Sequence, residues 1–219
     1  MRTGVFQVNP RLGEESNALH PFASGTAGVL VPLEFEYDPG AAPHSATLPG
    51  HCKAGVYYDT AEAARQGTTG TVSGRNGMYI LADQMIVRDG PGGRGLSLFG
   101  QVTVNPRTSA QITRWYAAGL VKTGTFHGRD TDTFAVGVVH AQVNPNLRRA
   151  HADADITANG DSYAALPAGE TVLEASYGWQ PRKWPGVRAD PQYIVEPGAF
   201  SYRSTRNAIA LGGQLRIAF

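Results

Sequence analysis

The strongest constraint on the fold is a strict alternation of residue types over the last stretch of the chain, residues 206–219. One set of alternate positions is apolar or glycine, and the intervening set is small or polar. The first set is Ile209, Leu211, Gly213, Leu215, Ile217 and Phe219, and the second is Ala208, Ala210, Gly212, Gln214, Arg216 and Ala218. A period of two predicts a β-strand with two different faces.

The length of this strand bears on its environment. At about 3.3 Å per residue and a tilt of about 40°, it rises about 35 Å, enough to cross the apolar band of an outer-membrane barrel, which is about 25 Å tall. The mean strand of globular proteins has only about 5–6 residues. A soluble β-sandwich would turn the apolar face into its core, whereas a barrel turns it toward lipid. The length favours the membrane interpretation.

Similar segments recur along the whole chain. About ten strands are predicted, most with ten or more residues, without regularly interspersed helices. Their ranges are 1–8, 26–37, 50–59, 75–89, 94–105, 111–123, 131–143, 170–180, 187–196 and 206–219. The pattern predicts an all-β, antiparallel, up-and-down sheet that forms one domain over residues 1–219. It does not assign the faces of 1–8, 75–89 and 111–123.

Three local features break the strand pattern. Pro32 removes a ladder hydrogen bond, so a bulge or local irregularity is predicted there. Residues 60–74 are predicted as a loop, with one helical turn over 60–65 that Asp59 or Thr60 caps. A short helix is predicted over 147–156 in the long irregular region 144–169, although its arginines near the start and aspartates near the end oppose the helix dipole.

Composition excludes several functional classes. Nineteen basic residues against 18 acidic ones give no electrostatic signal for nucleic acid. No apolar run approaches the roughly 18 residues of a membrane helix, so a membrane-spanning chain must cross with strands. The single cysteine, Cys52, excludes an internal disulfide and a multi-cysteine metal site. We find no catalytic motif and no metal-ligand spacing, and expect neither an enzyme nor a cofactor.

The energetic cost of exposing charge to lipid sets the strand faces of a barrel. A slip of one residue exchanges the faces completely. With Arg188 in lipid the cost approaches about 2–4 kcal/mol near the midplane. In a barrel, the residues that line the lumen are therefore Glu34, Glu36, Lys53, Gln101, Glu174, Arg188, Asp190, Gln192, Gln214 and Arg216. The aromatic residues at the membrane interfaces are Tyr37, Tyr58, Tyr177, Trp179, Tyr193 and Phe219.

Several ordered segments resemble a known family. They are Gly55-Val56-Tyr57-Tyr58-Asp59, Leu81-Ala82-Asp83-Gln84-Met85, Arg94-Gly95-Leu96-Ser97-Leu98-Phe99, Trp115-Tyr116-Ala117-Ala118-Gly119-Leu120 and Gln192-Tyr193-Ile194-Val195-Glu196-Pro197-Gly198. Together with the terminal Phe219, they resemble the carbohydrate-selective outer-membrane porins, the OprB-type family.

The resemblance implies a water-filled barrel in the outer membrane of a Gram-negative bacterium, through which sugars diffuse passively. The terminal Phe219 resembles the aromatic ending that the barrel-assembly machinery recognises. Barrels of this kind have about 16–18 strands, so the chain corresponds to the carboxyl-terminal portion of a larger porin barrel. Missing amino-terminal strands or a homo-oligomer are then expected partners, beside outer-membrane lipid and sugars in transit. Residues Met1 to Thr3 lead directly into a strand-like segment, without a recognisable signal peptide.

Two other functions fit the same pattern. One is a non-transporting barrel fragment or assembly subunit whose open edges pair with another chain. The other is a soluble β protein that binds carbohydrate. The sequence leaves open which sugar passes and whether the ten strands close on themselves.

Overall fold

A computed structural model describes residues 1–9, 27–42, 45–90, 93–159, 166–182 and 185–217. The strands are β1 (Arg2–Thr3), β2 (Phe6–Val8), β3 (Gly28–Tyr37), β4 (Gly50–Ala64), β5 (Thr71–Arg88), β6 (Gly95–Val104), β7 (Ile112–Thr123), β8 (Thr133–Val143), β9 (Gly169–Trp179), β10 (Pro185–Val195) and β11 (Ala208–Ile217). One helix, α1 (Pro145–Asn159), lies between β8 and β9.

The strands form one antiparallel sheet in which sequence neighbours are also spatial neighbours. Within the described residues the order runs β1-β3-β4-β5-β6-β7-β8-β9-β10-β11, and β2 also pairs with β3. The predicted all-β, up-and-down architecture is therefore confirmed, with the first predicted strand divided into β1 and β2. In these residues the sheet does not close, because β1 and β11 do not pair. No α-helix in the described part of the chain combines the length and apolar character that a bilayer crossing requires.

The division of the first strand lies opposite Pro32. Thr3 pairs with Leu33 and Phe6 with Leu30, in one continuous register that is interrupted between them. Thr3 Oγ1 donates a hydrogen bond of 2.8 Å to the Pro32 carbonyl, so the backbone oxygen and the imide nitrogen of Pro32 face β1 and β2. The β3–β4 ladder continues past Pro32 without a shift. The predicted irregularity at Pro32 is present in the pairing with β1 and β2, which the missing N–H interrupts, whereas β3 has no bulge against β4.

The predicted helical turn after residue 59 is wrong, and the predicted loop 60–74 is shorter than expected, since β4 continues to Ala64 and β5 begins at Thr71. A bulge between Asp59 and Glu62 accommodates the bend in this strand. Asp59 Oδ1 accepts a hydrogen bond of 2.8 Å from the Ala61 amide, and its carboxylate also pairs with Arg75 on β5. The aspartate therefore stabilises a strand irregularity rather than a helix start. Pairing with β5 outweighs the local helical preference of the segment.

Helix α1 is confirmed and extends beyond its predicted bounds at both ends. Asn144 caps it, because its Oδ1 accepts a hydrogen bond of 2.8 Å from the Asn146 amide. The Asn144 side chain also donates to the carbonyl oxygens of Arg107 and Ala110, at 2.7 and 2.6 Å. Pro145 occupies the first helical position, where no N–H is required. The capping interaction and the contacts to the 105–111 turn stabilise a helix whose charges do not match its dipole.

The connection from β10 to β11 packs against α1 at the same end of the sheet. The His151 ring stacks on Tyr202, with ring centroids 3.6 Å apart. Burial raises the pKa of the Tyr202 phenol. A short 3₁₀ helix at Ala199–Ser201 precedes this tyrosine. The connection that contains α1 and the connection from β10 to β11 therefore pack together at this end of the sheet.

Buried residues of the described chain lie mainly at strand ends and connections. They include Val143, Asn144 and Asp132, each about 1% exposed or less. Most large apolar side chains on the strands are exposed; Leu211, for example, is 82% exposed and Ile209 is 75% exposed. The sheet therefore has no dry apolar layer of its own among the described residues. Its two faces must be stabilised by what lies outside it.

Candidate functional site

The polar face of the sheet brings together all ten residues that the sequence assigned to a lumen. The cross-strand register pairs Glu36 with Lys53, and Arg188 with Gln214. Residues two apart on one strand share a face, so the remaining positions follow from the ladders. The ten residues on this face are Glu34, Glu36, Lys53, Gln101, Glu174, Arg188, Asp190, Gln192, Gln214 and Arg216. We call this surface the polar face.

A first charged cluster spans β1, β3 and β4. Glu36 accepts contacts from Arg2 Nη2 at 2.6 Å and from Lys53 Nζ at 3.3 Å. Its neighbour on the same face, Glu34, accepts a hydrogen bond from the Tyr79 hydroxyl. Each carboxylate is therefore paired with a donor from another strand. Such cross-strand pairs hold the side chains against the sheet and compensate their charges locally.

A second cluster spans β9 and β10. Arg188 Nη2 lies 3.5 Å from Glu174 Oε1 and donates a 2.8 Å hydrogen bond to Ser176. Gln192 Nε2 donates a 2.8 Å hydrogen bond to Glu174 Oε2. Glu174 and Arg188 remain about 36% and 48% exposed. The cluster thus presents both hydrogen-bond acceptors and donors toward the space beside the polar face.

The polar residues of β10 and β11 extend this surface to the edge strand. Asp190 lies directly over Gly212, where an added Cβ would overlap its carboxylate. Gln214 and Arg216 lie on the exposed second half of β11. Gln101 lies farther along the face, between Leu81 and Ala117 in the register. The structure brings the ten residues onto one face but not into one compact cluster.

The polar face also carries aromatic residues that sequence reasoning did not include in the site. Tyr57, Tyr79, Phe99 and Trp115 occupy the same alternate positions as the charged residues. Tyr57 donates a 3.2 Å hydrogen bond to Asn105, and its ring lies over Gly77. The available signal was an aromatic residue that lies two positions from a charged residue on the same strand and opposite a glycine on the next strand. These aromatic residues were missed because only charged and glutamine side chains were included in the predicted lumen.

The same face carries two further charge pairs that the predicted site did not include. His51 Nδ1 lies 3.0 Å from Asp83 Oδ2, and Arg75 pairs with Asp59. Acids and bases therefore lie beside one another, and β4, β5 and β10 each carry both signs on this face. This arrangement gives a polar wall of mixed charge.

The opposite face, called the apolar face here, is continuous from β3 to β11. The register aligns Phe35, Ala54, Ile80, Val102 and Tyr116 across five successive strands. This alignment also assigns the two central segments whose faces the sequence left open. In β5 a bulge between Met85 and Val87 moves Val87 onto the apolar face, which explains why a simple period of two failed there.

Five of the six predicted interface aromatics lie on the apolar face. Tyr37, Tyr177 and Trp179 are near the strand ends opposite α1, while Tyr58 and Tyr193 lie toward the end that carries α1. Two have polar partners for their hydroxyl groups: Tyr177 contacts Asp132 and Arg129, and Tyr193 accepts from Asn207 at 2.8 Å. Phe219 lies outside the described residues.

With this geometry in place, comparison with known proteins is informative. The family model described as carbohydrate-selective porin, OprB family, matches residues 1–219. The chain belongs to this porin family. The resemblance inferred from five short segments is therefore confirmed.

Two curated sequences and one solved structure are similar to this porin chain. Porin B of Pseudomonas aeruginosa is 28% identical over 238 residues, covering 100% of the chain and 52% of that protein. The putative porin QuiX of Acinetobacter baylyi is 24% identical over 232 residues, covering 99% of the chain and 51% of that protein. The high-pH structure of Pseudomonas putida OprB superposes with a TM-score of 0.85 and 27% identity, over 98% of the chain and 54% of that structure.

The porin chain spans about half the length of the relatives it matches. An open sheet in the described residues agrees with this coverage, because the matched region covers 54% of the solved relative's chain and the rest of that chain lies outside it.

Proposed function

We propose that this chain forms part of the wall of a water-filled outer-membrane channel through which sugars diffuse passively. The observation that carries the proposal is the separation of its two faces: an exposed apolar face and a polar face of mixed charge on the same sheet. Membership in the OprB family supports the channel class and the carbohydrate substrates.

The apolar face suits lipid as its surroundings. Leu211, Leu215 and Ile217 are 82%, 68% and 56% exposed, although each is a residue that soluble proteins usually bury. Removing one such side chain from water is worth about 1.5–3 kcal/mol. A continuous apolar surface of this kind marks contact with a membrane or another protein. Contact with the hydrocarbon of a bilayer would remove the apolar side chains of all strands on this face from water.

The polar face suits passage of sugars. A sugar hydroxyl both donates and accepts hydrogen bonds, so a wall with carboxylates beside arginine and glutamine serves it in both directions. Glu174, Arg188 and Gln192 form such a group, with partial exposure of the two charged side chains. Because opposite charges lie in neighbouring pairs on this face, we expect the wall to have no strong preference for ions of one sign. The ten polar-face residues identified from the sequence are proposed to line this path.

The outer membrane is the proposed location, on the evidence of the porin relatives from Pseudomonas. The aromatic residues near both strand ends are proposed to lie at the two membrane interfaces. Outer-membrane lipid, sugars in transit and the barrel-assembly machinery are the proposed partners, and no nucleic acid or catalytic reaction is proposed.

Liposome swelling tests the proposal directly. Protein reconstituted into liposomes is expected to produce rapid swelling in isosmotic glucose and slower swelling in a large oligosaccharide, because a lumen excludes solutes by size. Liposomes prepared without protein supply the background rate. Swelling in glucose that does not exceed this background would overturn the proposed channel function.

A second candidate is a subunit that joins another chain without transporting sugar itself. The edge strand β11 favours it, since β11 pairs only with β10 among the described residues and would otherwise expose a row of backbone donors and acceptors. Crosslinking of β11 to a separate chain, together with an absence of swelling, would select this candidate over the channel.

A further inference from the structure

One aromatic ring of the polar face lies flat along the wall instead of standing out from it. Phe99 on β6 extends across Gly119 on β7, where an added Cβ would lie 2.5 Å from Phe99 Cζ. The same ring atom would lie 3.4 Å from a Cβ at Gly137 on β8. Two glycines on successive strands therefore make room for the ring. Phe99 nevertheless remains 37% exposed.

A hollow of about 230 Å³ adjoins this ring. Its floor consists of small and apolar groups from three strands, including Gly137, Val139 and Val172, and Phe99 forms one side. At about 30 Å³ of liquid volume per water, the hollow has space for several waters or for part of one sugar ring. It exists because alternate positions of β7 and β8 carry glycine and alanine instead of larger side chains.

The second charged cluster borders the hollow on the side away from Phe99. Glu174, Ser176 and Arg188 contribute to its lining. Glu174 already accepts from Gln192, but a carboxylate has about four acceptor sites. Arg188 directs only Nη2 toward Ser176 and Glu174, while a guanidinium carries five N–H donors. Both groups retain hydrogen-bonding capacity for a ligand.

We propose that this hollow is a carbohydrate-binding subsite in the channel wall, with one face of a pyranose ring packed on Phe99 and its hydroxyls bonded to Glu174 and Arg188. The apolar C–H face of a sugar ring suits an aromatic surface, and its equatorial hydroxyls suit a carboxylate beside a guanidinium. This assignment rests on the proposed sugar channel and adds to it a specific place of contact on β6 to β10.

Glucose titration of the reconstituted protein in planar bilayers tests the subsite. The measured quantity is the glucose concentration that produces half of the maximal change in ion conductance. Phe99→Ala is expected to raise this concentration about tenfold, as for truncation of an aromatic at the centre of a binding site. Phe134→Ala is the matched control, because Phe134 is 41% exposed on the apolar face of β8. It is expected to change the value less than twofold.

Two further variants are expected to leave the sheet folded. Phe99→Trp preserves an aromatic surface, so glucose sensitivity is expected to persist and tryptophan emission to shift with glucose relative to the unsubstituted protein. Gly137→Ala fills part of the hollow, and its Cβ would make only ordinary contacts of 3.4 Å to Phe99 and 3.5 Å to the Ala118 carbonyl. It is expected to raise the half-saturating glucose concentration at least threefold.

The outcomes distinguish the subsite from the channel. Liposomes that swell in glucose, combined with equal glucose sensitivity in Phe99→Ala and Phe134→Ala, would overturn the subsite and leave the channel intact. Liposomes that do not swell, combined with a glucose-dependent shift in Phe99→Trp emission, would overturn the channel and support the subsite. An absence of both responses would overturn both.

Discussion

The hydroxyl of Tyr177 donates a hydrogen bond to the carboxylate of Asp132, which is only 1% exposed. Asp132 also accepts from the Gln180 amide at 2.9 Å, so it joins the end of β9 to the 124–132 connection. From the sequence, Tyr177 was assigned only to a membrane interface. The structure gives the same residue a second task, which is to satisfy a buried charge.

Tyr177→Phe is expected to destabilise the folded protein by about 1–3 kcal/mol, because it removes a donor from a buried carboxylate. Guanidinium unfolding in lipid vesicles measures the change. Tyr193→Phe is the matched control, since the bond between Tyr193 and Asn207 is exposed and neutral, and it is expected to cost less than about 1 kcal/mol. Equal costs would show that the buried position of Asp132 does not matter.

Gly119→Ala is expected to reduce stability by about 1–3 kcal/mol through overpacking. An added Cβ would lie 2.5 Å from both Phe99 Cζ and the backbone oxygen of Val136, and the backbone atom cannot move independently. Gly100→Ala provides the control, because its nearest neighbour would be the Ala117 carbonyl at 3.8 Å. Thermal unfolding in detergent compares them, and a neutral Gly119→Ala would contradict the close approach of Phe99.

Leu211→Arg and Ala210→Arg test which face meets lipid. Leu211 lies on the apolar face and Ala210 on the polar face of the same strand. The charge at 211 is expected to cost about 2–4 kcal/mol if it lies near the bilayer midplane, and the charge at 210 much less. Unfolding titrations in lipid vesicles measure both variants. A larger cost at 210 would reverse the proposed faces.

Arg216→Ala is expected to shift the selectivity of the open channel toward cations and to change sugar flux, because it removes one positive charge from the proposed lumen wall. The reversal potential in a salt gradient across a planar bilayer measures selectivity. Arg216→Lys keeps the charge and is expected to restore it. Conductance and selectivity that match the unsubstituted protein in Arg216→Ala would reject a lumen position for this arginine.

Prediction from the sequence succeeded where the two faces of a strand differ strongly. In β10 and β11, polar or charged residues alternate with large apolar ones. A slip of one residue would exchange these two different faces, so only one register is favourable. Prediction failed to assign β7, where Trp115, Ala117 and Val121 make the polar face nearly as apolar as the other. It failed in β5 because a bulge changes the face after Met85. In these two strands, the alternation of residue types along the sequence does not show which side chains share the polar face.

Distant strands decided the outcome of two local predictions. The segment after Asp59 contains good helix formers, yet its backbone pairs with 71–73 of β5. Pro32 was expected to produce a bulge or local irregularity, and because its imide nitrogen faces β1 and β2, the irregularity lies in the pairing with those strands. The sequence shows that a proline lacks an N–H donor, whereas the order of strands in the sheet determines which neighbouring strand loses the hydrogen bond.

The amino-acid sequence by itself determined the class of the fold, the alternation of its faces and the family to which the chain belongs. These are properties of residue order, because successive side chains of a strand point in opposite directions whatever the strand pairs with. Only the tertiary structure decided which side chains meet across strands: Phe99 with two glycines, Glu174 with Arg188, and Tyr177 with Asp132. Those contacts depend on cross-strand register and bulges, which pairing between distant segments sets.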